Sequence, residues 1–386
     1  MATEKPHKDI DDLMNVVIID KHINQKPRSV LVDKFKMRSN KVIDNCDKQL
    51  DITRVDNFVI DERLEVKDSK EFPKLKTIKE LFEFQRIDLE IGFKECLANN
   101  GLIADYEIYR TKKWYHYLQR TKEYNLITKY KPKFVSFGGP VADIMATIYD
   151  THIGWKISAE MVNDVIYFYK TRHERSQYDN PSDRVNRRSY CLLNFFQLAT
   201  DRDETDKSEY IKHFAINCVQ LGSHRLMTLN EVDAIDDNGQ SVDLKLVNLI
   251  RGSRDQQFFE KKKLLRFWSK AFIQGMDKIV IANIDDNYLK DIEVRKVSEI
   301  PESGASYWSS GRCIELLKRF LKFMKSNVKE ERIVYDFDFN RGEEYVACYQ
   351  TNDGKHVIPV DYNNHIDIDN DINTIEATID SKLQIF

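Results

Sequence analysis

The sequence predicts a mixed α+β domain, on three observations. Segments with apolar residues at helical spacing are interleaved with segments that alternate as strands do. The interleaving follows no strict alternation, which points to α+β or mixed α/β. No linker, internal repeat or low-complexity stretch divides the 386 residues, so one domain is expected over 51–386, with 1–50 as a polar arm packed on it.

Composition agrees. The chain is 41% hydrophobic and 11% aromatic, with 13 Gly and 8 Pro, which supplies a sizeable core and argues against fibrous or long disordered stretches. The formal net charge is −3, so any nucleic-acid contact needs a local basic patch. Cys46, Cys96, Cys191, Cys218, Cys313 and Cys348 form no CxxC pair, which argues against a zinc ribbon or a disulfide framework. Free thiols in a reducing compartment follow. There is no apolar signal core after Met1 and no apolar run of about 18 residues. An intracellular protein of nucleus, cytoplasm or both, with no membrane partner, is expected.

The elements follow in order. Ile78, Leu81, Phe82, Leu89, Phe93 and Leu97 give 76–97 helical spacing, with Gly92 inside the run. A Trp- and Tyr-rich helix is expected over 111–124, and Lys131-Pro132 punctuates the chain after it. Pro140 suits the first turn of a helix to about residue 150. Strands at 155–161 and 165–169 flank a Val162-Asn163-Asp164 turn. The basic stretch 172–188, with Arg172, Arg175, Arg184, Arg187 and Arg188, reads as an exposed loop. A helix over 190–200 precedes strands over 214–219, 226–235 and 242–250. The clearest amphipathic helix is 256–274, where Phe258, Leu265, Trp268 and Phe272 recur among Lys261, Lys262, Lys263 and Arg266. A strand over 278–283, a helix over 312–326 and strands around 332–348 complete the chain.

The chemistry lies in Glu231-Val232-Asp233-Ala234-Ile235 and Ser241-Val242-Asp243-Leu244-Lys245, two strands around a turn marked by Asn238-Gly239. A two-residue loop would pair Ala234 with Asp243 and put Asp233 on the opposite face. A three-residue loop, Asp237-Asn238-Gly239 with Gly left-handed, pairs Asp233 with Asp243 and Glu231 with Lys245 on one face. Val232, Ala234, Val242, Leu244 and Leu246 then share the other.

Two carboxylates face to face repel, and a divalent cation offsets the repulsion. Mg²⁺ or Mn²⁺ takes oxygen from a few carboxylates plus water. Lys245 would hold a phosphate or orient the attacking water. This is the D…(D/E)-x-K pattern of metal-dependent nucleases. The plain alternative is a solvated hairpin face with a Glu231–Lys245 ion pair worth about 0.2–1 kcal/mol.

Glu231-Val232-Asp233, Asp243-Leu244-Lys245 and the helix Lys263-Leu264-Leu265-Arg266-Phe267-Trp268-Ser269-Lys270-Ala271-Phe272, running into Gly275 and Lys278-Ile279-Val280-Ile281, resemble the DXO-type RNA decapping and 5′→3′ exonuclease family. The family's motifs are E-h-D, E-h-K, K-L-L-x-x-W-x-Q-x-F and G-x-P-x-I-V. The resemblance covers roughly 130–330. It implies one mixed domain with two β-sheets flanked by helices around a central cleft. It also implies metal-dependent removal of incomplete or NAD-type caps from RNA 5′ ends. Carried over, Asp233 and Asp243 are metal ligands, Glu231 holds metal-bound water, the Leu244 carbonyl touches the metal, and Lys245 contacts phosphate. Lys262, Arg266 and Lys270 on the helix and Gly138 at an F-R-G position would line the RNA site.

The chain departs from the family at four places. Asp243 stands for Glu, Phe196 for the ligand Glu of a G-h-x-h-E motif, Gly138 for Arg in Phe137-Gly138-Gly139, and Lys270 for the helix Gln. A lost carboxylate weakens metal binding, by at least the roughly 10–100-fold typical of outer-shell changes. Two functions follow. One is an RNA 5′-end hydrolase that uses Mg²⁺ or Mn²⁺ at an impaired site, helped by a further carboxylate such as Asp201 or Asp203. The other is an inactive relative that binds RNA ends or a protein partner in RNA decay, takes no metal, and has Lys270 neutralising the aspartates. A DNA nuclease is a third, weaker reading. Lys112, Lys113, Trp114, Tyr115, His116 and Tyr117 read as an amphipathic helix with buried aromatics more readily than as an RNA path.

Overall fold

The structure, a computed structural model, describes residues 29–37, 50–61, 65–67, 71–83, 87–98, 106–171, 183–201, 212–352 and 354–363. The first elements are β1 (Val30–Lys36), β2 (Asp51–Ile60), β3 (Val66–Lys67), α1 (Ile78–Glu83), α2 (Phe93–Ala98), α3 (Tyr106–Glu123) and α4 (Leu126–Tyr130). Then come β4 (Phe134–Phe137), α5 (Gly138–Thr147), β5 (Trp155–Val162), β6 (Val165–Thr171), α6 (Asp183–Ala199), β7 (Lys212–Leu221), β8 (His224–Glu231), β9 (Ala234–Ile235) and β10 (Ser241–Asn248). The rest is α7 (Ser253–Phe258), α8 (Leu265–Ile273), β11 (Lys278–Asp285), β12 (Tyr288–Lys296), α9 (Ile300–Ser303), α10 (Ser310–Asn327), β13 (Val334–Phe339) and β14 (Tyr345–Thr351).

The strands form two sheets, as the resemblance implied. A ten-stranded sheet has the order β1-β14-β13-β5-β6-β4-β8-β7-β2-β3, and a four-stranded sheet the order β12-β11-β10-β9. Most neighbours are antiparallel, but β4 runs parallel to β6 and β8, and β10 parallel to β11.

Helices cover both sheets, and the apolar clusters show how. On one face of the large sheet, Trp114, Tyr117 and Leu118 of α3 pack on Phe58, Phe214, Ile216 and Met227. On the other, Ile144 and Met145 of α5, Trp268 of α8 and Phe320 of α10 pack on Phe134, Ile157 and Phe168. The same cluster takes in Ile279 and Ile281 of the small sheet, so this helix layer lies between the sheets. The outer face of the small sheet, with Ala234, Val242, Leu244 and Val280, is sealed by Leu81 of α1 and Phe195 and Phe196 of α6.

Local chemistry sets the boundaries. Thr77 and Glu80 make a capping box: Glu80 N–H donates to Thr77 Oγ1 at 3.3 Å and Thr77 N–H to Glu80 Oε2 at 2.7 Å, which starts α1. The β5–β6 turn has Asn163 and Asp164 at φ 52° and 62°, the paired left-handed conformation of a tight hairpin.

Four expectations are corrected. The 76–97 helix is two short helices, α1 ending at Glu83 and α2 starting at Phe93, with a bridge and turn over 87–92 in which Gly92 at φ +88° leads into α2. Arg184, Arg187 and Arg188 lie in α6 and not in a loop, while Arg172 and Arg175 fall outside the described residues. The strand over 226–235 is two strands in different sheets. The 256–274 helix contains a π-helical turn at Phe259–Leu264, whose extra residue per turn re-phases the buried stripe. Phe259 is therefore buried and Phe258 exposed.

Candidate metal–carboxylate site

The site forms where the chain crosses between the sheets. Glu231 is the last residue of β8 and pairs with Phe214 in the large sheet. Asp233 lies in the crossing, and β9 then pairs with β10 as Ala234↔Val242 and Ile235↔Ser241. Gly239 N–H donates to Asp236 O and Asp236 N–H to Gln240 O, both at 2.9 Å. With Gly239 at φ +74°, this is the three-residue loop with a left-handed glycine that places Asp233 across from Asp243. The expected pairing of Glu231 with Lys245 does not occur, because Glu231 belongs to the other sheet. Val232 likewise leaves the face of Ala234, Val242 and Leu244 and joins the inter-sheet cluster.

Alternation along β10 turns Val242 and Leu244 outward to α6, so Asp243 and Lys245 face the α8 layer. Lys245 Nζ donates to Asp243 Oδ1 at 2.5 Å and stands 5.8 Å from the centroid of the Phe267 ring on α8. Asp233 Oδ2 accepts the Leu244 N–H at 2.8 Å. Lys212 Nζ pairs with Glu231 Oε1 at 3.4 Å. The Asp243 side chain is 3% exposed, whereas a third of Glu231 reaches solvent.

The charges are tightly balanced. Burial works against charge on Glu231, but Lys212, Lys113 and Lys270 outweigh it and hold the carboxyl at about 2. Burial and repulsion from Asp243 raise Asp233. Burial also opposes charge on Asp243, yet Lys245 and Lys270 hold it below the usual carboxylate range. Burial lowers Lys245 and Lys113, but Lys270 is raised because Asp243, Asp233 and Glu231 together overcome its burial. Four ammonium groups thus act on three carboxylates.

Phe196 sits at this site. It is buried in the α6 cluster, and Lys212 Nζ lies 5.6 Å from its ring centroid while pairing with Glu231. Gly138, at the start of α5, has no room for a side chain: an added Cβ would collide with Asn230 Oδ1 and lie 3.0 Å from Gln274 Cγ.

Lys262 and Arg266 are held elsewhere. Lys262 Nζ donates to Asp150 Oδ1 at 3.1 Å and to Tyr149 O at 3.0 Å, and Arg266 Nε to Asp150 Oδ2 at 2.7 Å. The antiparallel packing of α8 on α5, with Gly138 beside Gln274 at one end, carries them to the far end of α5. Asp201 is exposed and accepts the Lys74 N–H at 2.7 Å, while Asp203 lies outside the described residues. The helix reading of 112–117 holds for Trp114 and Tyr117, whose side chains are buried. Lys113 and Lys212 were not expected beside Glu231. Lys113 is one of several lysines on its helix and Lys212 opens a strand, so neither carries a local signal.

Does a divalent cation fit? Glu231 and Asp243 already hold lysines, Asp233 accepts a backbone N–H, and a phenyl ring occupies position 196. Among the described residues, no three His, Cys, Asp or Glu side chains are arranged to hold a metal. An arriving cation would meet a cluster whose carboxylate charge is already matched. The donor set does not fit the ion.

A two-sheet α+β body with an acidic crossing strand and an Asp-x-Lys strand defines the PD-(D/E)XK class of nuclease scaffold. A family model described as RAI1-like PD-(D/E)XK nuclease matches residues 58–363, and the chain belongs to that family. It is 23% identical over 255 residues to the decapping and exoribonuclease protein of Xenopus laevis, covering 60% of this chain and 64% of that one. It is 32% identical over 159 residues to the decapping nuclease RAI1 of Aspergillus fumigatus, covering 36% and 43%. The chain thus spans less than two thirds of these relatives. Among solved structures, Scheffersomyces stipitis Rai1 in complex with (3′-NADP)⁺ and calcium ion superposes with TM-score 0.66 at 14% identity, over 82% of this chain and 96% of that one. Candida albicans Rai1 in complex with pU5-Mn²⁺ gives 0.65 at 14% identity, over 83% and 93%. At such identity the likeness is one of fold.

Proposed function

We propose that this chain binds RNA 5′ ends in RNA quality control and does not turn them over. The observation that carries the reading is Phe196. The family resemblance expects a ligand carboxylate there, and a phenyl ring under Lys212 stands in its place. Hydrolysis by this scaffold uses a metal to polarise the phosphoryl group and supply hydroxide. This donor set does not hold one. Binding needs less: Lys113, Lys212, Lys245 and Lys270 outnumber Glu231, Asp233 and Asp243 by one, and that excess of positive charge suits a terminal phosphate at the end of the sheet crossing. A solved relative holds pU5 and another holds (3′-NADP)⁺, which makes phosphorylated and NAD-type ends the first ligands to try.

One observation favours the rival hydrolase. Asp243 Oδ2 is buried without a hydrogen-bond partner and is an acceptor that a cation could take.

The two readings separate in one assay. Purified protein is given 5′-monophosphate, 5′-triphosphate and NAD-capped RNA in EDTA and in Mn²⁺, and binding and products are measured together. Equal binding in both conditions with no product is expected. Mn²⁺-dependent cleavage that disappears in Asp233→Asn would establish the hydrolase instead.

A further inference from the structure

We propose that Lys270 is a built-in cation, whose ammonium group takes over the charge role of a divalent ion and keeps that ion out of the Asp233–Asp243 pair. The inference rests on the non-hydrolytic reading above and names the residue responsible for it.

The hairpin makes the need plain. Asp233 and Asp243 face each other across β9–β10, and two carboxylates so placed require a nearby positive charge. Lys245 satisfies only one oxygen, Asp243 Oδ1. Asp233 Oδ2 takes a backbone N–H, which carries no net charge. Asp243 Oδ2 is left buried without a hydrogen-bond partner, an acceptor that a second positive charge nearby would stabilise.

The fold supplies it from α8. Asp243 and Lys245 point at the α8 layer, and Phe267 lies against Lys245. Lys270 is three residues on, one turn along the same helix face. Beyond it the chain returns directly to the hairpin: Asp277 N–H donates to Ser241 O and Ser241 N–H to Asp277 Oδ2, both at 2.9 Å. The chain leaving that helix is thus bonded to Ser241, two residues before Asp243. In agreement, Asp243, Asp233 and Glu231 hold Lys270 charged despite its burial. With Lys270 in place, a divalent ion brings two more positive charges into a cluster that is already neutralised. With Gln at 270, the pair would again lack its counter-charge.

Mn²⁺ binding by electron paramagnetic resonance, with thermal unfolding in parallel, tests this on the full chain. Lys270→Gln, checked for folding by circular dichroism, is expected to bind Mn²⁺ at least roughly tenfold more tightly than wild type. The gain should vanish when Asp233→Asn is added. Without metal, Lys270→Gln should melt lower than wild type, and Mn²⁺ should recover part of the loss. Should Lys270→Gln fail to fold, Lys270→Gln/Asp243→Asn decides: removing the repulsion should restore folding, and continued failure overturns charge replacement. A folded Lys270→Gln that takes up no more Mn²⁺ than wild type also overturns it, but leaves the non-hydrolytic reading standing. Wild type that binds Mn²⁺ tightly overturns it too. If that wild type also cleaves RNA, the function reading falls with it.

Discussion

Lys212 pairs with Glu231 on one side and stands over Phe196 on the other, so one ammonium group joins the acidic crossing to the apolar seal of α6. Its charge is the largest attractive influence on Glu231. Lys212→Met should therefore lift the Glu231 pKa from about 2 towards the ordinary carboxylate value of about 4.3, as read by carbon-detected NMR titration. An unmoved value would contradict the assigned cause. Gly138 offers a second test. An alanine there collides with Asn230 Oδ1, so Gly138→Ala should cost about 1–3 kcal/mol in urea denaturation. Asn230→Ala in the same chain should return part of that loss, and simple additivity would show that the two do not compete for space. Asp233, Asp243 and Lys245 were legible in the sequence because turn chemistry and two-residue alternation fix who faces whom. Lys113 and Lys212 were not. They reach the site from elements distant in sequence, and a lysine carries no sign of the carboxylate it will meet.

The packing of α5 on α8 is pinned at one end by Gly138 against Gln274 and at the other by Asp150, which is 3% exposed and grips Lys262 and Arg266. Burial raises the Asp150 pKa, but the Arg266 and Lys262 charges and hydrogen bonds prevail and lower it. A carboxyl lowered in the folded state stabilises at pH values above its unfolded pKa of about 3.9, and the contribution is lost as pH falls through the folded value. Asp150→Asn should thus cost about 1–3 kcal/mol at pH 7, discounted because Arg266 is partly exposed. The difference in melting temperature from wild type should shrink below about pH 4. A difference that is constant from pH 7 to pH 3 would show that the ion pair is not its source. The helix itself was legible from its apolar spacing, but its phase was not. The π-helical turn inserts an offset that no local pattern announces, and the position of Lys262 and Arg266 at the start of the helix, beside the end of α5, brings them to Asp150 rather than to the hairpin carboxylates.

Across the molecule, the end of the described chain is tied back to the large sheet. Glu160 of β5, whose side chain is wholly buried, accepts from Val357 N–H at 2.7 Å and Ile358 N–H at 3.2 Å and pairs with Arg332 and His356. Trp114 on α3 donates to Val357 O at 2.8 Å, so the same segment steadies the helix that carries Lys113. Glu160→Ala should cost about 3 kcal/mol and speed amide exchange at Val357 and Ile358 more than in the centre of β5. Uniform exchange would mean the segment has other anchors of equal strength. The mixed class of the chain was readable from its interleaved periodicities. The split of strands between two sheets was not, since nothing in Leu226 to Ile235 marks Val232 and Asp233 as a crossing. That crossing decides the chemistry, because it sets Glu231 beside Lys212 of the large sheet and leaves Asp243 beside Lys245 in the small one. The most direct test is a calorimetric titration of the full chain with Mn²⁺ at neutral pH, with RNA binding measured on the same sample. No heat of metal binding, with RNA still bound, is the predicted result. Tight Mn²⁺ binding that Asp233→Asn abolishes would contradict it.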